Sequence, residues 1–213
     1  LFFKNEMKAE FLYFWADTFF SWTRKDFETF AELYQEIQLP FWCQTRPETI
    51  NEHRVKTLKK MGVARIAFGI EHGNEKFRAK YLDRKMSNEI ITEGIKTVIR
   101  EEVPISVNNM IGFPHETREL AFDTIKLNKT FGSPEIVDNN SYPFTPFTGT
   151  PLRKLCEELG YVKETDIVNS VMSQGSLLNM PQFSGEEVDG LTKTFNMYVK
   201  FPEDRWNEIR IAE

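Results

Sequence analysis

Apolar runs that each stop at a polar residue recur along the chain. Residues 11–16 are all apolar and Asp17 follows them, which is the pattern of a strand that is buried on both faces and ends at a polar site. Later runs repeat this pattern at residues 39–46, 64–71 and 105–116, and a weaker one occupies residues 135–141. We therefore predict five strands, with chemistry placed near their carboxyl ends.

Helical periodicity fills the intervals between the strands. Apolar residues recur there at spacings of three and four, which indicates one buried helix face. The predicted helices cover residues 24–38, 50–61, 88–99, 120–127, 150–159 and 186–201, with shorter helices inside 74–86 and 163–185. Gly62 is expected to end the second helix, and the last dozen residues are expected to extend the final one.

Strands that alternate with helices predict an α/β protein, and polar residues at the carboxyl ends of parallel strands are typical of a β/α barrel. A complete eight-stranded barrel usually takes about 250 residues, whereas this chain has 213 residues. We therefore predict a partial parallel β/α (TIM-like) barrel over residues 1–160 and a mostly helical C-terminal portion over residues 161–213.

Composition narrows the choice of partners. The net charge is −5 and no long run of Lys or Arg occurs, so we expect no nucleic-acid partner. No apolar stretch reaches the roughly 18 residues of a membrane span, and no signal peptide is recognisable. Two distant cysteines, Cys43 and Cys156, suit a reducing cytoplasm and form no recognised metal motif. Both are expected to be small buried hydrophobic residues.

The polar residues at the strand ends are candidate site residues. Asp17 suits a ligand amine or hydroxyl, or else the backbone amides at the start of a helix. Arg46 suits binding of a ligand carboxylate or phosphate, or else an ion pair with Asp17 or Glu71. The proline that follows it, Pro47, favours an extended backbone at Arg46. Glu71 lies between the two glycines of residues 69–73, where close approach of a ligand is expected, and it can bind ribose hydroxyls.

Other polar residues in or after the strands have more than one possible role. His72 could act as a base or as a ligand, but an exposed or helix-capping histidine is the favoured interpretation. Glu116 is expected to cap the helix that follows it, because the helix dipole favours an acid there. Asn108 and Asn109 are adjacent in a strand, so only one of them can face the interior of a barrel.

At these same residues the chain resembles the radical SAM superfamily, most of all the branch that is often fused to a cobalamin-binding domain and includes enzymes similar to magnesium-protoporphyrin monomethyl ester cyclases. The segments that carry the resemblance are FWADTF at residues 14–19, CQTRP at 43–47, LKKMGV at 58–63, FGIEHG at 68–73, MIGFPHET at 110–117 and PFTGTPL at 146–152. They appear in the order of the family, over residues 11–160.

The resemblance implies a partial β/α barrel, here without its first strand, in which S-adenosylmethionine lies across the strand ends. Asp17 would face the methionyl amine, Glu71 would reach the ribose, and Ile111 with Gly112 would border the adenine. The implied cofactor-binding residues are Asp17, Arg46, Glu71, Asn108, Ile111 and Gly112. No residue is assigned a catalytic or metal-binding role.

The sequence also departs from the family. Ala16 stands where a second acid is common, and His72 and His115 stand where Ser and Gly are common. The motif CxxxCxxC, which holds a [4Fe–4S] cluster in the family, is absent, and two cysteines cannot supply three thiolates.

We therefore expect a piece of a longer iron–sulfur oxidoreductase that is inactive as this chain. The full-length protein would bind S-adenosylmethionine, generate a 5′-deoxyadenosyl radical and use an electron donor and a small-molecule substrate. Whether an upstream cobalamin-binding domain exists is left open.

Two other functions stay open at this point. A non-catalytic barrel that binds a nucleotide-like ligand, or serves as an interaction module, would explain the missing cysteines. A metal-dependent hydrolase is the weakest alternative, because three histidines and five strands are too few for it. The open edge at residues 11–17 is expected to pair with another chain or with a second copy of this one.

Overall fold

A five-stranded parallel sheet organises the computed structural model, which describes residues 1–168 and 175–213. Its strands are β1 (Leu12–Phe14), β2 (Phe41–Thr45), β3 (Val63–Glu71), β4 (Ile105–Ile111) and β5 (Val137–Pro143). The order in the sheet is β1-β2-β3-β4-β5, so each strand pairs with the next one along the chain. This order follows from repeated β/α units and confirms the predicted α/β class.

Helices connect and follow the strands. They are α1 (Phe2–Asn5), α2 (Arg24–Tyr34), α3 (Glu52–Met61), α4 (Glu75–Tyr81), α5 (Asn88–Arg100), α6 (Arg118–Lys129), α7 (Pro151–Glu158), α8 (Gly185–Lys200) and α9 (Trp206–Ala212). Side-chain caps explain where several of them begin: the Thr23 side chain accepts a hydrogen bond from the Asp26 amide, and Ser184 and Glu187 form a capping box. Gly62 ends α3 with a φ of 90°, as predicted.

The described residues form two compact units. The first consists of Leu1–Ile70, Met86–Val107 and Phe131–Asp138, and the second of Glu71–Lys85, Asn108–Thr130 and Asn139–Glu213. The amino-terminal parts of β3, β4 and β5 therefore belong to the first unit, and their carboxyl ends belong to the second. The predicted division into residues 1–160 and 161–213 stays a prediction.

The first unit has an aromatic core beside β1 and β2. The Phe14 ring packs edge-on against Phe41 of β2 and Phe30 of α2, at centroid distances of 5.3 and 5.8 Å. Close packing continues at α5, where a Cβ added to Gly94 would lie 2.5 Å from the Pro47 carbonyl oxygen. A glycine is therefore required for α5 to approach the turn that follows β2.

The second unit has its core where β4 meets α6 and α8. Ile111 of β4 is buried in one cluster with Ala121 and Ile125 of α6 and with Val188 and Leu191 of α8. Successive strand residues point to opposite faces, so this core occupies one face of β4. The other face of the strand carries Ser106, Asn108 and Met110, which are only partly buried.

The prediction that residues 11–17 form a strand buried on both faces is wrong. β1 covers only Leu12–Phe14, and Tyr13 and Trp15 are 68% and 79% exposed. The reason is that β1 lies at the edge of the sheet, where one of its faces packs and the other meets solvent. Asp17 lies beyond the end of the strand in an exposed bend.

The C-terminal helices also differ from the prediction. The last dozen residues do not extend α8, because Phe201 is extended and Pro202 cannot continue a helix. The short helix predicted within 163–185 is absent from residues 163–168 and 175–184, and residues 169–174 lie outside the described residues. None of the helices in the described part of the chain combines the length and the apolarity that crossing a membrane requires.

Candidate functional site

Glu71 ends β3 with an unusual backbone. Its φ is 68°, a left-handed conformation that a residue with a side chain adopts only when its surroundings impose it. The side chain is 17% exposed, and one carboxylate oxygen lies 3.3 Å from an Nη atom of Arg84. Burial raises the pKa of the Glu71 carboxyl, and the Arg84 charge opposes part of that rise. The strand thus ends in a shielded acid with one cationic neighbour.

His72 is buried, so the prediction that it is exposed is wrong, whereas the predicted helix-capping contact is present, because its partner Asn74 is the N-cap residue of α4. Its Nδ1 atom accepts a hydrogen bond from the Asn74 amide at 3.0 Å, and its Nε2 atom lies 3.0 Å from Oε1 of Glu116. Since Nδ1 accepts, the neutral ring carries its proton on Nε2 and donates it to the Glu116 carboxylate. The ring also stacks on Phe77 at a centroid distance of 4.2 Å, and the His72 carbonyl oxygen accepts from Arg78.

Glu116 has a structural role, but a different one from the role predicted. It does not cap the following helix, because Thr117 caps α6 through its hydroxyl. Instead, Oε2 of Glu116 accepts from the Gly112 amide at 2.6 Å and from the Phe113 amide at 2.9 Å, while Oε1 faces His72. The buried carboxylate therefore holds the loop after β4 in a tight turn.

Asn108 and Asn109 point to opposite faces of β4, as predicted. Asn109 is buried and exchanges amide hydrogen bonds with Asn128 of α6, at 3.1 and 2.9 Å. Asn108 is half-buried on the other face, where its Oδ1 atom accepts from Asn140 of β5 at 3.2 Å. Of the two, Asn108 is therefore the one on the face that the helix α6 does not cover.

Ile111 and Gly112 are packed into the second unit. The Ile111 side chain is fully buried in the core, so only the backbone of this residue is placed to approach a ligand. Gly112 has a φ of 90°, and a Cβ there would lie 2.8 Å from Cγ1 of Val188. A glycine is needed at this position because it adopts a positive φ readily and because α8 leaves no room for a side chain. The close approach at Gly73 is likewise made by α6, because a Cβ there would lie 2.4 Å from the Asp123 carbonyl oxygen.

Asp17 and Arg46 belong to the first unit and are both exposed. Arg46 is extended, with φ −97° and ψ 141°, as the proline after it predicts. Its Nε atom lies 2.6 Å from a carboxylate oxygen of Glu48, so the ion pair is with this neighbour and not with either predicted acid. An exposed pair of this kind contributes little to stability.

Sequence reasoning missed two partners of the candidate residues. Arg84, which neutralises Glu71, lies in a charged stretch where nothing in the sequence distinguishes it from the surrounding Arg and Lys residues. Asn140, which bonds Asn108, was visible only as an interruption of the fifth predicted strand. That interruption was the available signal, because a polar residue inside a strand needs a partner.

Both cysteines are buried and unpaired, as predicted. Burial raises the pKa of the Cys43 thiol to about 12 and that of the Cys156 thiol to about 11, so neither is a ready thiolate ligand. Among residues 1–168 and 175–213, no group of three or more His, Cys, Asp or Glu side chains is arranged to hold a metal ion. The described residues therefore offer no ligand set for an iron–sulfur cluster.

Comparisons with known proteins connect this geometry to a family. A curated relative, the uncharacterized methyltransferase PH0819 of Pyrococcus horikoshii, is 26% identical over 196 residues, which are 88% of this chain and 40% of the relative. The structure is similar to coproporphyrinogen III oxidase (HemN) of Escherichia coli, a radical SAM enzyme, with a TM-score of 0.65 and 14% identity over 91% of this chain and 41% of the other. It is also similar to the radical S-adenosylmethionine methyltransferase TsrM of Kitasatospora setae, solved with cobalamin and a [4Fe–4S] cluster, with a TM-score of 0.56 and 14% identity over 86% and 35% of the two chains.

These structural neighbours confirm the predicted fold class, a partial parallel β/α (TIM-like) barrel. The family model described as the radical SAM superfamily matches residues 3–127, which is more than half of the chain. The chain therefore belongs to the radical SAM superfamily. It spans about two fifths of the length of the curated relative that it matches.

Proposed function

We propose that this member of the radical SAM superfamily binds S-adenosylmethionine at the carboxyl ends of β3 and β4, with Glu71 accepting hydrogen bonds from the ribose hydroxyls. Asn108 would contribute from the ligand-facing side of β4, and the backbone of Ile111 and Gly112 would border the adenine. The contacts of Asp17 with the methionyl amine and of Arg46 stay predictions of the sequence, in the first unit.

The state of Glu71 is the observation that carries this proposal. A left-handed backbone costs a residue with a side chain about 1–3 kcal/mol, and such strain clusters at functional sites; Glu71 differs from the other residues with a positive φ in ending a strand with a largely buried carboxyl. The carboxylate is largely shielded, and Arg84 balances its charge at 3.3 Å. A shielded acceptor of this kind favours a ligand that donates hydroxyl groups over water, because a ribose diol can satisfy both carboxylate oxygens.

The iron–sulfur cluster of the family does not fit the residues described. The resemblance implies three thiolates close together, whereas Cys43 and Cys156 lie in the first and second unit, respectively, each buried and with a raised pKa. We therefore place the cluster ligands outside these 213 residues. Formation of a 5′-deoxyadenosyl radical, with its electron donor, is proposed for a longer protein of which this chain supplies the nucleotide-binding part.

The class of reaction that the longer protein catalyses is a proposal, and it rests on the names of the similar proteins. PH0819 and TsrM are both called methyltransferases, and HemN is called an oxidase. We infer methyl transfer to a small molecule as the reaction of the longer protein, with oxidation as the alternative and with cobalamin use open. The assignment to the cyclase-like branch stays a prediction.

A second candidate is favoured by the two buried cysteines. A non-catalytic barrel would bind the adenosine portion of a ligand without needing a redox centre. The two candidates differ in iron content: after anaerobic reconstitution with iron and sulfide, a longer protein that encloses this chain holds a cluster under the first proposal and none under the second. The 213-residue protein alone holds none under either.

Isothermal titration of the 213-residue protein with S-adenosylmethionine tests the proposed function. We expect saturable binding, and we expect Glu71→Gln to weaken it at least tenfold, because the amide offers one acceptor oxygen instead of two and no charge. Glu119→Gln is the matched control, since this acid is exposed on α6. Absence of binding, or equal affinities of wild type and Glu71→Gln, would overturn the proposal.

A further inference from the structure

The segment after β3 is folded around His72. Its two ring nitrogens are both engaged, Nδ1 with the Asn74 amide and Nε2 with the Glu116 carboxylate, each at 3.0 Å. The Arg78 guanidinium donates to the His72 carbonyl oxygen at 2.5 Å. Because Glu71 is the preceding residue, these bonds also fix where its backbone leaves the strand.

The loop after β4 is folded around Glu116 in the same way. One carboxylate oxygen accepts from the Gly112 and Phe113 amides, and the other accepts from His72. His72 and Glu116 are both fully buried, so water cannot replace either partner. Their hydrogen bond therefore joins two segments that follow neighbouring strands, beside the ring contacts of Phe113 with His72 and Phe77.

We propose that His72 is a positioning residue: through Glu116 it fixes the separation between Glu71 and the Gly112–Phe113 turn, and thereby sets the affinity of the site for S-adenosylmethionine. This inference rests on the proposed function, because it needs a ligand that contacts both segments. It assigns a role to a histidine at a position where the resemblance leads one to expect serine. A serine side chain is too short to reproduce both bonds of the ring.

Amide substitutions at His72 separate its two bonds. In His72→Asn the side-chain oxygen can accept from the Asn74 amide, but the side chain is too short to reach Glu116. In His72→Gln the terminal amide can donate to Glu116, and the bond to Asn74 is lost. We expect His72→Asn to weaken S-adenosylmethionine binding at least tenfold and His72→Gln to stay within threefold of wild type.

A change at the acid tests the same link from the other side. Glu116→Gln turns an NH₂ group toward the Nε2 proton of His72, and the ring cannot move its proton to Nδ1, because the Asn74 amide donates there. We expect this variant to weaken binding at least tenfold. In the double variant His72→Gln/Glu116→Gln the carbonyl of one amide can accept from the NH₂ of the other, so affinity should recover toward wild type.

Thermal unfolding of each variant separates positioning from general destabilisation. Ile125→Val removes a methylene from α6 in the core of the second unit and leaves the hydrogen bonds of both loops in place, so it should lower the unfolding midpoint and leave the dissociation constant unchanged. All affinities are measured well below the lowest midpoint. A fall in affinity shared by Ile125→Val and His72→Asn would identify the effect as loss of stability and would overturn the inference.

The outcomes for the inference and for the proposed function are distinct. If wild type binds and Glu71→Gln does not, while His72→Asn binds as wild type does, the inference fails and the proposed function stands. If the double variant binds no better than Glu116→Gln, the link between the two side chains is not what sets the affinity, and the inference fails as well. If wild type itself does not bind S-adenosylmethionine, both fail.

Discussion

The carboxyl ends of β3 and β4, in the second unit, differ from those of β1 and β2, in the first. After β3 and β4, buried side chains hold the backbone in place: His72 and Glu116 bond each other and three backbone amides. After β1 and β2, Asp17 and Arg46 are exposed, and Arg46 pairs with a neighbour in sequence. The first arrangement holds its backbone in one conformation before any ligand arrives, whereas the second leaves its side chains free to adapt.

This difference shows where the structural constraint on the chain lies. A buried acid that bonds two amides and a histidine cannot be replaced without leaving polar groups unsatisfied. An exposed ion pair can be replaced with little effect on stability. Stability measurements should therefore separate the two regions before any ligand is known.

The largest effect is expected at Glu116. Glu116→Ala leaves the His72 Nε2 proton and the Gly112 and Phe113 amides without their buried acceptor, so the free energy of unfolding should fall by about 3–5 kcal/mol. Urea denaturation gives this value. Glu48→Ala, which removes the exposed partner of Arg46, is the control and should cost less than about 1 kcal/mol. Similar costs for the two variants would contradict the comparison.

Gly112 comes next in size. Gly112→Ala combines a positive φ with a Cβ that lies 2.8 Å from Cγ1 of Val188, so we expect a loss of about 2–4 kcal/mol in the free energy of unfolding. Gly132→Ala in the first unit shares the positive φ but meets nothing within 4 Å, and it should cost about 1–2 kcal/mol. Equal losses, measured by chemical denaturation, would show that α8 imposes no constraint on the loop.

The pH dependence of stability tests the environment of Glu71. Burial raises the pKa of this carboxyl above 4.5, so its contribution to stability is complete below that value and is lost as the pH rises through the folded-state pKa. Glu71→Gln removes this loss, so its stability relative to wild type should rise as the pH increases through the folded-state pKa.

Glu119 on α6 provides a control, because the stability of its glutamine variant relative to wild type should change with pH in the opposite direction. Backbone and Thr117 hydrogen bonds lower the pKa of the exposed Glu119 carboxyl, so Glu119→Gln should fall in stability relative to wild type as the pH rises through the folded-state pKa toward 4.5. Thermal unfolding at each pH gives both profiles. A Glu71→Gln profile parallel to wild type would show that the Glu71 carboxyl is not shielded.

The smallest effects are expected in the first unit. Asp17→Asn and Arg46→Gln should each change the free energy of unfolding by less than about 0.5 kcal/mol, because both side chains are exposed. Denaturation curves that shift by more than about 1 kcal/mol would show that these residues are held as firmly as the loops of the second unit.

The sequence was enough to predict the sheet and most helices because hydrophobic periodicity and caps act locally. Gly62 ends α3 and Pro47 keeps the preceding Arg46 extended, both as predicted, and Thr23 caps α2 through an equally local hydrogen bond. The burial of β1 was predicted wrongly, because burial also depends on how many neighbours a strand has. β1 lies at the edge of the sheet, and its Tyr13 side chain is exposed there.

The candidate site was only partly predictable, because its bonds join residues far apart in the chain. Glu71 and Asn108 were proposed as site residues from their positions in strands and from the family resemblance, and that role stays a prediction. His72 and Glu116 are 44 positions apart in the chain, and nothing in the sequence around either residue indicates that they form a hydrogen bond. Histidine is intermediate between the mostly buried and the mostly exposed residue types, so its identity gave no local signal for a buried role.

Backbone amide NMR of the 213-residue protein, with and without S-adenosylmethionine, is the most direct test of the central claim that the carboxyl ends of β3 and β4 form the binding site. We predict saturable shifts of the amide signals of residues 71–74 and 108–113. An absence of saturable shifts, or shifts confined to residues outside these two segments, would contradict it.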